Sequence, residues 1–483
     1  MSAKSALLAC LEPLGSKVLT MHSPEYSQER LDYNPRFDYR PLVIVMAASA
    51  SDVQFSTKCA TEAKVAVAPR SGGHSYEGYS IGGQNGSLVI DLGGFTAVTV
   101  STNGLAKVGA GIRLGPLYLE LYNQGGWTIN AGTCPSVGVG GIALGGGFGL
   151  LSRKYGLLLD RITEMQVVNA MGELLTVSAT SDPDLFFALR GAGGGSFGVV
   201  IEFTLQAIRP APVATSFTYN WPNAMYLEVF RAFIDTQQQA LRDVGVGINI
   251  SPAGLMMYGL FDGVESKQSE AMKQFLEKVP SPTNRDVREG RVIDSQLRFA
   301  YLSGNPKDIN ALSLQGGFKA AAPRPTKGKS LVYSKPLLNS TIKLLGKWGS
   351  VSPKGSAATY IIIDIWGGAI ADVPVKETAF IHRGASAGIE FVAEWIADAN
   401  QSADTKDYVE CFKWINDAYA EFLEDFRANY GPVRGYQNYI DKDIPDWQDA
   451  YYGEALTKLK QIKRAVDPSN TFRFPQSIPL AHP

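Results

Sequence analysis

The chain has 483 residues, 45% of them hydrophobic, with 45 Lys and Arg against 46 Asp and Glu for a formal charge of -1. This balance, with no block of like charge, excludes the electrostatic footprint of a nucleic-acid or anionic-membrane binder. No run is long or apolar enough to span a bilayer, and at ~100–200 residues per domain the length predicts two or three domains.

The opening, MSAKSALLACLEPLGSK, reads as a short amphipathic helix, without the apolar stretch and small-residue cleavage site of a signal peptide. Residues 40 to about 210 then read as short strands alternating with helices. A helix near 51–63 leads into the strand KVAVAP and the turn RSGGHSYEGYS. The strands SLVIDL, FTAVTVS and AKVGAGI follow, then the helix LGPLYLELYNQGG. Glycine dominates from Thr128 to Asp160. MQVVNAMGELLTVS predicts a hairpin turning at Gly172, followed by the helix DPDLFFALRG and the strand FGVVIEFTLQAI, and Pro210 and Pro212 punctuate the chain. From about 213 to 430, strands (SFTYNW, GINISP, LMMYGLF, ATYIIIDIW) mix with longer helices (AMYLEVFRAFIDTQQQAL, SKQSEAMKQFLEKV and 406–430). That pattern predicts an α+β layer with helices on one face of a sheet. The tail from about 431 is too short for a domain and is expected to rejoin the first region.

Glycine clusters at 70–83 (RSGGHSYEGYSIGG), 137–149 (VGVGGIALGGGFG) and 190–198 (RGAGGGSFG). Glycine lets backbone N–H groups turn inward and approach a ligand closely. Three such loops fit a diphosphate-bearing cofactor with a large planar ring, although tight turns in a β-rich domain also call for glycine. GGIALGGGFG lacks the strand–turn–helix context and the ribose-binding acid of a dinucleotide fingerprint, and no P-loop is present. His22, His74, His382 and His482 are without ligand spacing, which argues against a metal, and there is no G-x-S-x-G elbow. Four cysteines are too few for a disulfide scaffold. Cys10, Cys59 and Cys411 each read as a small buried hydrophobe on a helix, whereas Cys134 sits among small residues in AGTCPSVG. Sequons at Asn85, Asn249, Asn339 and Asn400 permit secretion.

RSGGHSY at 70–76 and AGTCPSVGVGGIALGGGFG at 131–149 resemble the two flavin-attachment motifs of the berberine-bridge-enzyme-like branch of the vanillyl-alcohol-oxidase flavoproteins. DPDLFFALRGAGGGSFGVV and DPSNTFRFPQSI match as well, in the right order, so the resemblance spans nearly the whole chain. Within the branch, the chain resembles carbohydrate oxidases.

The resemblance implies FAD held by two bonds. A ring nitrogen of His74 would join the flavin 8-methyl carbon and the sulfur of Cys134 flavin carbon 6, neutral imidazole and thiolate being the nucleophiles on offer near neutral pH. Around them the implied cofactor contacts are Arg70, Ser71, Gly72, Gly73, Ser75, Tyr76, Gly138, Val139, Gly140, Gly141, Gly145, Gly198, Val200 and Asn438. The implied fold is α+β: a two-part FAD-binding domain (1–212 and 431–483) and a substrate domain (213–430) whose antiparallel sheet, covered by helices, roofs the flavin. Either the chain is intracellular or this numbering begins after a removed signal; Cys10 and Cys59 match a disulfide pair of secreted members, which favours the extracellular expectation, and a monomer is expected.

For the chemistry, the resemblance pairs Tyr439, in GYQNYID, with Asp364, in YIIIDIWGG, as the groups that take a hydroxyl proton while hydride leaves. Asp364 stands out on the residues alone, because it follows three isoleucines in a strand and a buried carboxylate needs a partner. A solvent-facing strand end remains its alternative, and a core tyrosine that of Tyr439. Tyr360 and Trp366 alternate with Asp364 and so share its face; with Tyr76 they are candidate substrate contacts, or else core. Val137 matches the family's oxygen gatekeeper, where valine goes with oxidases. The expected activity takes a hydride from the anomeric carbon of a reducing mono- or oligosaccharide, giving a lactone, with dioxygen reduced to hydrogen peroxide. An oxidase of an aromatic alcohol (a monolignol) or an alkaloid-type metabolite is the alternative, and a catalytically silent flavin-binding module the third.

Overall fold

In the computed structural model, which describes residues 2–237, 242–314, 324–396 and 406–481, the strands sort into three sheets. The sequon Asn400 and His482 lie outside the described residues. The first sheet holds β1 (Val18–Leu19), β2 (Val43–Met46), β3 (Val67–Arg70) and β4 (Leu88–Asp91) in the order β1-β2-β4-β3, with β4 parallel to β2 and β3. Helix Ala50–Ala63 makes the crossover from β2 to β3. A capping box between Ser49 and Asp52 starts it, and Lys64 in the left-handed region stops it. β3 ends at Arg70, so the RSGGHSY turn leaves the carboxyl end of a parallel strand, the end where such sheets present ligand loops.

The second sheet comprises β5 (Val98–Val100), β6 (Leu105–Gly109), β7 (Ile162–Val168), β8 (Leu174–Ser178) and β9 (Val199–Gln206), in the order β5-β6-β9-β7-β8. The β7–β8 hairpin turns at Gly172, φ +78°, as its sequence predicts.

The third sheet is antiparallel throughout. Its strands are β10 (Ala214–Trp221), β11 (Val244–Ser251), β12 (Gly254–Phe261), β13 (Asn284–Gly290), β14 (Thr326–Tyr333), β15 (Ser356–Ile365) and β16 (Ala387–Trp395), in the order β13-β10-β12-β11-β15-β16-β14. Residue alternation gives this sheet two different faces. Val246 and Ile248 of β11, Ile361 and Ile363 of β15, and Ile389 and Phe391 of β16 form one apolar cluster with Phe230, Phe275, Leu345 and Phe422 from the covering helices. Tyr360, Asp364, Glu390 and Glu394 are the intervening positions and lie on the opposite face, toward the glycine loops. This is the predicted α+β arrangement; β13, β14 and β16 are strands that the sequence periodicity did not single out. The tail shares the core of the first region, with Tyr436, Ile440, Leu459 and Phe472 buried in the same cluster as Val45, Val67 and Phe203.

Cys10 and Cys59 form the expected disulfide, tying helix Ala3–Leu11 to helix Ala50–Ala63 with Cα atoms 5.7 Å apart. Replacing both by alanine is expected to destabilise the chain by about 2–5 kcal/mol, since the bridge closes a long loop in the unfolded state. A calorimetric scan reads this as a lower unfolding temperature. Among the described residues no helix is long and apolar enough to cross a membrane.

Candidate active site

Two glycine loops meet backbone to backbone. A Cβ on Gly72 would lie 2.2 Å from the Gly138 nitrogen, and one on Gly138 would lie 2.1 Å from the Gly72 nitrogen, so neither position accepts a side chain. Arg113 clamps the junction, donating to the Gly72 carbonyl at 2.8 Å and to the Ser136 carbonyl. Ser71 Oγ donates to the Ala110 carbonyl at 2.6 Å and accepts from the Gly140 N–H at 3.2 Å. This close approach brings His74 and Cys134 to one point. Ser136 Oγ lies 2.8 Å from His74 Nε2 and 3.4 Å from Cys134 Sγ. Cys134 is a free, half-buried thiol. Tyr33 stacks on the His74 ring with centroids 3.7 Å apart. Burial, with the Arg113 charge adding to it, pushes the imidazole pKa down to about 3, so the ring is neutral at physiological pH. With Nε2 engaged by Ser136, Nδ1 is the ring nitrogen left for a new bond.

Beside these loops a cleft of about 620 Å³ opens between Arg70–Gly73, Gly93 and Gly111–Arg113. Arg70 at its edge is fixed by Asp91, Nε to Oδ2 at 2.5 Å. Gly73 takes φ +68° at the turn, and Ser75 Oγ accepts from the Tyr79 N–H at 3.0 Å. Val139, Gly140, Gly141 and Gly145 form the short helix Val139–Gly145, and Asn438 of the tail donates to the Ile142 carbonyl in it at 3.0 Å. Gly198 and Val200 pack against β7, and the Ile201 carbonyl after them accepts from Ala110 N–H at 2.9 Å, the residue whose own carbonyl accepts from Gly140 and Ser71.

The third sheet supplies a row of carboxylates on its open face. Tyr439, in the tail, donates its hydroxyl to Asp364 Oδ2 at 3.2 Å. Tyr76, two residues after His74, donates to Glu390 Oε1 at 2.7 Å, and Tyr360 to Glu394 Oε1 at 3.2 Å. The Tyr76 and Tyr439 rings stand 6.2 Å apart. Asp364 is 6% exposed, which removes its solvent-facing alternative. Burial raises its pKa to about 7, the Tyr439 hydrogen bond opposing only in part.

A buried ion network ties the two tyrosine segments to this sheet. Lys327 of β14 bonds Glu77 Oε1 at 2.6 Å and also Asp441, while Lys329 reaches Asp441 Oδ2 at 2.9 Å. Glu77 follows Tyr76 and Asp441 stands two residues after Tyr439, so one lysine fixes both segments at once.

Tyr76, Tyr360, Asp364 and Tyr439 therefore converge as expected from the sequence. Trp366 shares their face, its N–H continuing the ladder to the Ser386 carbonyl at 3.0 Å, but the indole, 1% exposed, is enclosed by Phe148, Phe380 and Tyr436. It is a core residue and no platform for a ligand. Glu390, Tyr33, Ser136 and Lys327 were missed. A signal for Glu390 was available, because GIEFVAEW alternates strictly between apolar Ile, Phe, Ala, Trp and the other face.

Residues 41–178 match the model of the FAD binding domain family and residues 435–479 that of the berberine and berberine-like family. The chain is 30% identical to the FAD-linked oxidoreductase dpmaF of Metarhizium anisopliae, over 99% of this chain and 91% of that one. The chain belongs to the berberine-bridge-enzyme-like family of FAD-linked oxidoreductases. The solved structure of BBE-like 1 of Physcomitrella patens superposes with a TM-score of 0.89 at 36% identity, covering 99% of this chain and 100% of that one. Glucooligosaccharide oxidase of Acremonium strictum superposes with a TM-score of 0.88 at 26% identity, covering 99% of both chains. Solved structures of that enzyme are described as showing a novel flavinylation and a 6-S-cysteinyl, 8α-N1-histidyl FAD.

The residues present fit FAD. The cleft, of cofactor size, is lined by Arg70, Ser71, Gly72, Gly73 and Arg113, and next to that lining a neutral imidazole and a free thiol meet at Ser136. The chain is thus an FAD-linked oxidoreductase, with carbohydrate oxidases among its relatives.

Proposed function

We propose that this protein is a carbohydrate oxidase. It removes a hydride from the anomeric carbon of a reducing mono- or oligosaccharide, such as a cellobiose-like sugar, and yields a lactone, with dioxygen as acceptor and hydrogen peroxide as product. The observation that carries the reading is the Tyr439–Asp364 hydrogen bond, which joins the tail to the substrate-facing sheet beside the His74–Tyr76 turn. In this reading His74 and Cys134 hold FAD covalently, residues 1–212 with 431–483 cradle it, and 213–430 cover the sugar. FAD supplies the hydride acceptor.

The chain's own residues handle the proton. The sugar hydroxyl gives its proton to the Tyr439 oxygen as the Tyr439 proton moves to Asp364, so no free phenolate is required. Asp364 accepts well because burial has raised its basicity. Tyr76 and Tyr360 flank the sugar, and Lys327 keeps the Tyr76 and Tyr439 segments in register. The Cys10–Cys59 disulfide supports an extracellular setting.

Peroxide release tests the reading. Cellobiose should produce it at a rate well above coniferyl alcohol; the reverse order would favour an aromatic-alcohol oxidase, and silence with every donor a binding module. Val137 precedes Gly138 at the loop junction and is half-buried. Val137→Leu is expected to slow reoxidation by dioxygen at least about tenfold, a barrier change of only ~1.4 kcal/mol, with flavin reduction by sugar unchanged in anaerobic mixing.

A further inference from the structure

Three carboxylates stand on the open face of the third sheet: Asp364 on β15, and Glu390 and Glu394 on β16. Glu390 is the middle one. Asp364 pairs across the strands with Gly388, which makes Glu390 its diagonal neighbour, and such neighbours lie ~7–8 Å apart. Glu394 follows Glu390 on the same face of the same strand. Glu394 has a cation, Arg324 Nη1 at 3.4 Å. Among the described residues no salt bridge reaches Asp364 or Glu390. The nearby lysines of β14 point the other way and are engaged by Glu77 and Asp441.

Apart from the carboxylates Asp364 and Glu394, what faces Glu390 is neutral. Tyr76 comes from the loop after β3, Tyr439 from the tail, and Tyr360 from β15. Tyr258 of β12 is close enough to feel both Asp364 and Glu390, and Ser330 pairs with Glu390 from β14. Two adjacent buried carboxylates without a cation cannot both ionise cheaply, and the one between two other carboxylates carries the greater repulsion.

We propose that Glu390 is held as the neutral carboxylic acid in the resting site, a positioning residue that accepts the Tyr76 hydroxyl and leaves Asp364 as the single charged proton acceptor. The electrostatics agree: burial, with Asp364 and Glu394 adding to it, raises Glu390 to about 8, above Asp364 at about 7. The proposal rests on Asp364 being the proton acceptor.

The test uses the holoenzyme with any donor that bleaches it, mixed anaerobically across pH, for wild type, Glu390→Gln and Asp364→Asn. Glutamine matches a neutral acid in shape and in donor and acceptor. Glu390→Gln should therefore reduce its flavin within about threefold of wild type, far from the ~10²–10⁴ of a lost acid–base group. The pH of half-maximal rate should not move, because a neutral neighbour exerts no field on Asp364. Infrared difference spectra of the oxidised protein at neutral pH should show Glu390→Gln losing protonated-carboxyl intensity relative to wild type, on top of the signal that Asp364 and Asp32, also raised to about 7, keep in both. A loss of about 10² or more in rate with the half-maximal pH shifted downward, or no loss of that intensity in Glu390→Gln, would show Glu390 charged and overturn the proposal. The Asp364→Asn arm separates the two readings. If it stays fast, the acceptor assignment fails; if both variants are slow, only the Glu390 proposal fails.

Discussion

Asp364→Asn is expected to slow flavin reduction by about 10²–10⁴-fold while FAD stays attached. The amide preserves the shape that receives the Tyr439 hydroxyl at 3.2 Å but takes away the proton sink. Removing the hydroxyl with Tyr439→Phe should cost a similar factor, and the double variant little more, since the two act as one relay. The sign of the pH dependence follows from the same group. Asp364 works ionised, and burial places its pKa at about 7, so the wild-type rate should climb as pH rises through 7 and fall away on the acid side. In Asp364→Asn that acid arm should vanish. Anaerobic stopped-flow mixing with cellobiose reads both effects, and an undiminished rate in Asp364→Asn would remove the aspartate from the mechanism.

Replacing both His74 and Cys134 by alanine is expected to release FAD from acid-precipitated protein, whereas either single replacement keeps the colour in the pellet. The geometry explains why one link can form without the other. Each side chain approaches Ser136 independently, His74 Nε2 at 2.8 Å and Cys134 Sγ at 3.4 Å. Because burial holds His74 neutral down to a pKa of about 3, the histidyl link should form as completely at pH 5 as at pH 8. Each single variant should also reduce more slowly, because an electron-withdrawing substituent on the ring raises its appetite for hydride. Even ~1.4 kcal/mol of lost driving force is about tenfold in rate. Colour in the supernatant from wild type would contradict the attachment outright.

Much of this site is legible in the residues. The hairpin at Gly172, the crossover helix capped by Ser49, and the strand carrying Asp364 all follow local rules of turn chemistry and alternation, which depend on neighbours in sequence. The two glycine loops are visible as composition, but their meeting is not. That Gly72 and Gly138 touch backbone to backbone is a fact of tertiary packing between segments 66 residues apart, and only the family resemblance pointed to it. Lys327 is harder still. TKGKSLVY carries two lysines in a strand buried along its whole length, and composition alone assigns such a segment to the surface. Burial is tolerable because Glu77 and Asp441 arrive from distant parts of the chain. Trp366 shows the opposite case: alternation correctly puts it on the Asp364 face, where its indole lies against Gly388, but that it is covered by Phe148, Phe380 and Tyr436 is a matter of tertiary packing that alternation does not carry.

The central claim is that hydride leaves the anomeric carbon of a sugar with Tyr439 and Asp364 taking the hydroxyl proton. It is tested most directly by anaerobic mixing of the holoenzyme with cellobiose carrying deuterium at that carbon. Loss of the oxidised flavin's visible absorbance should be slowed several-fold relative to the protio sugar, on the order of the tenfold that 1.4 kcal/mol commands, and the lactone should appear in step with it. Absorbance that persists with cellobiose and other reducing sugars, but is lost on adding coniferyl alcohol, would contradict the account.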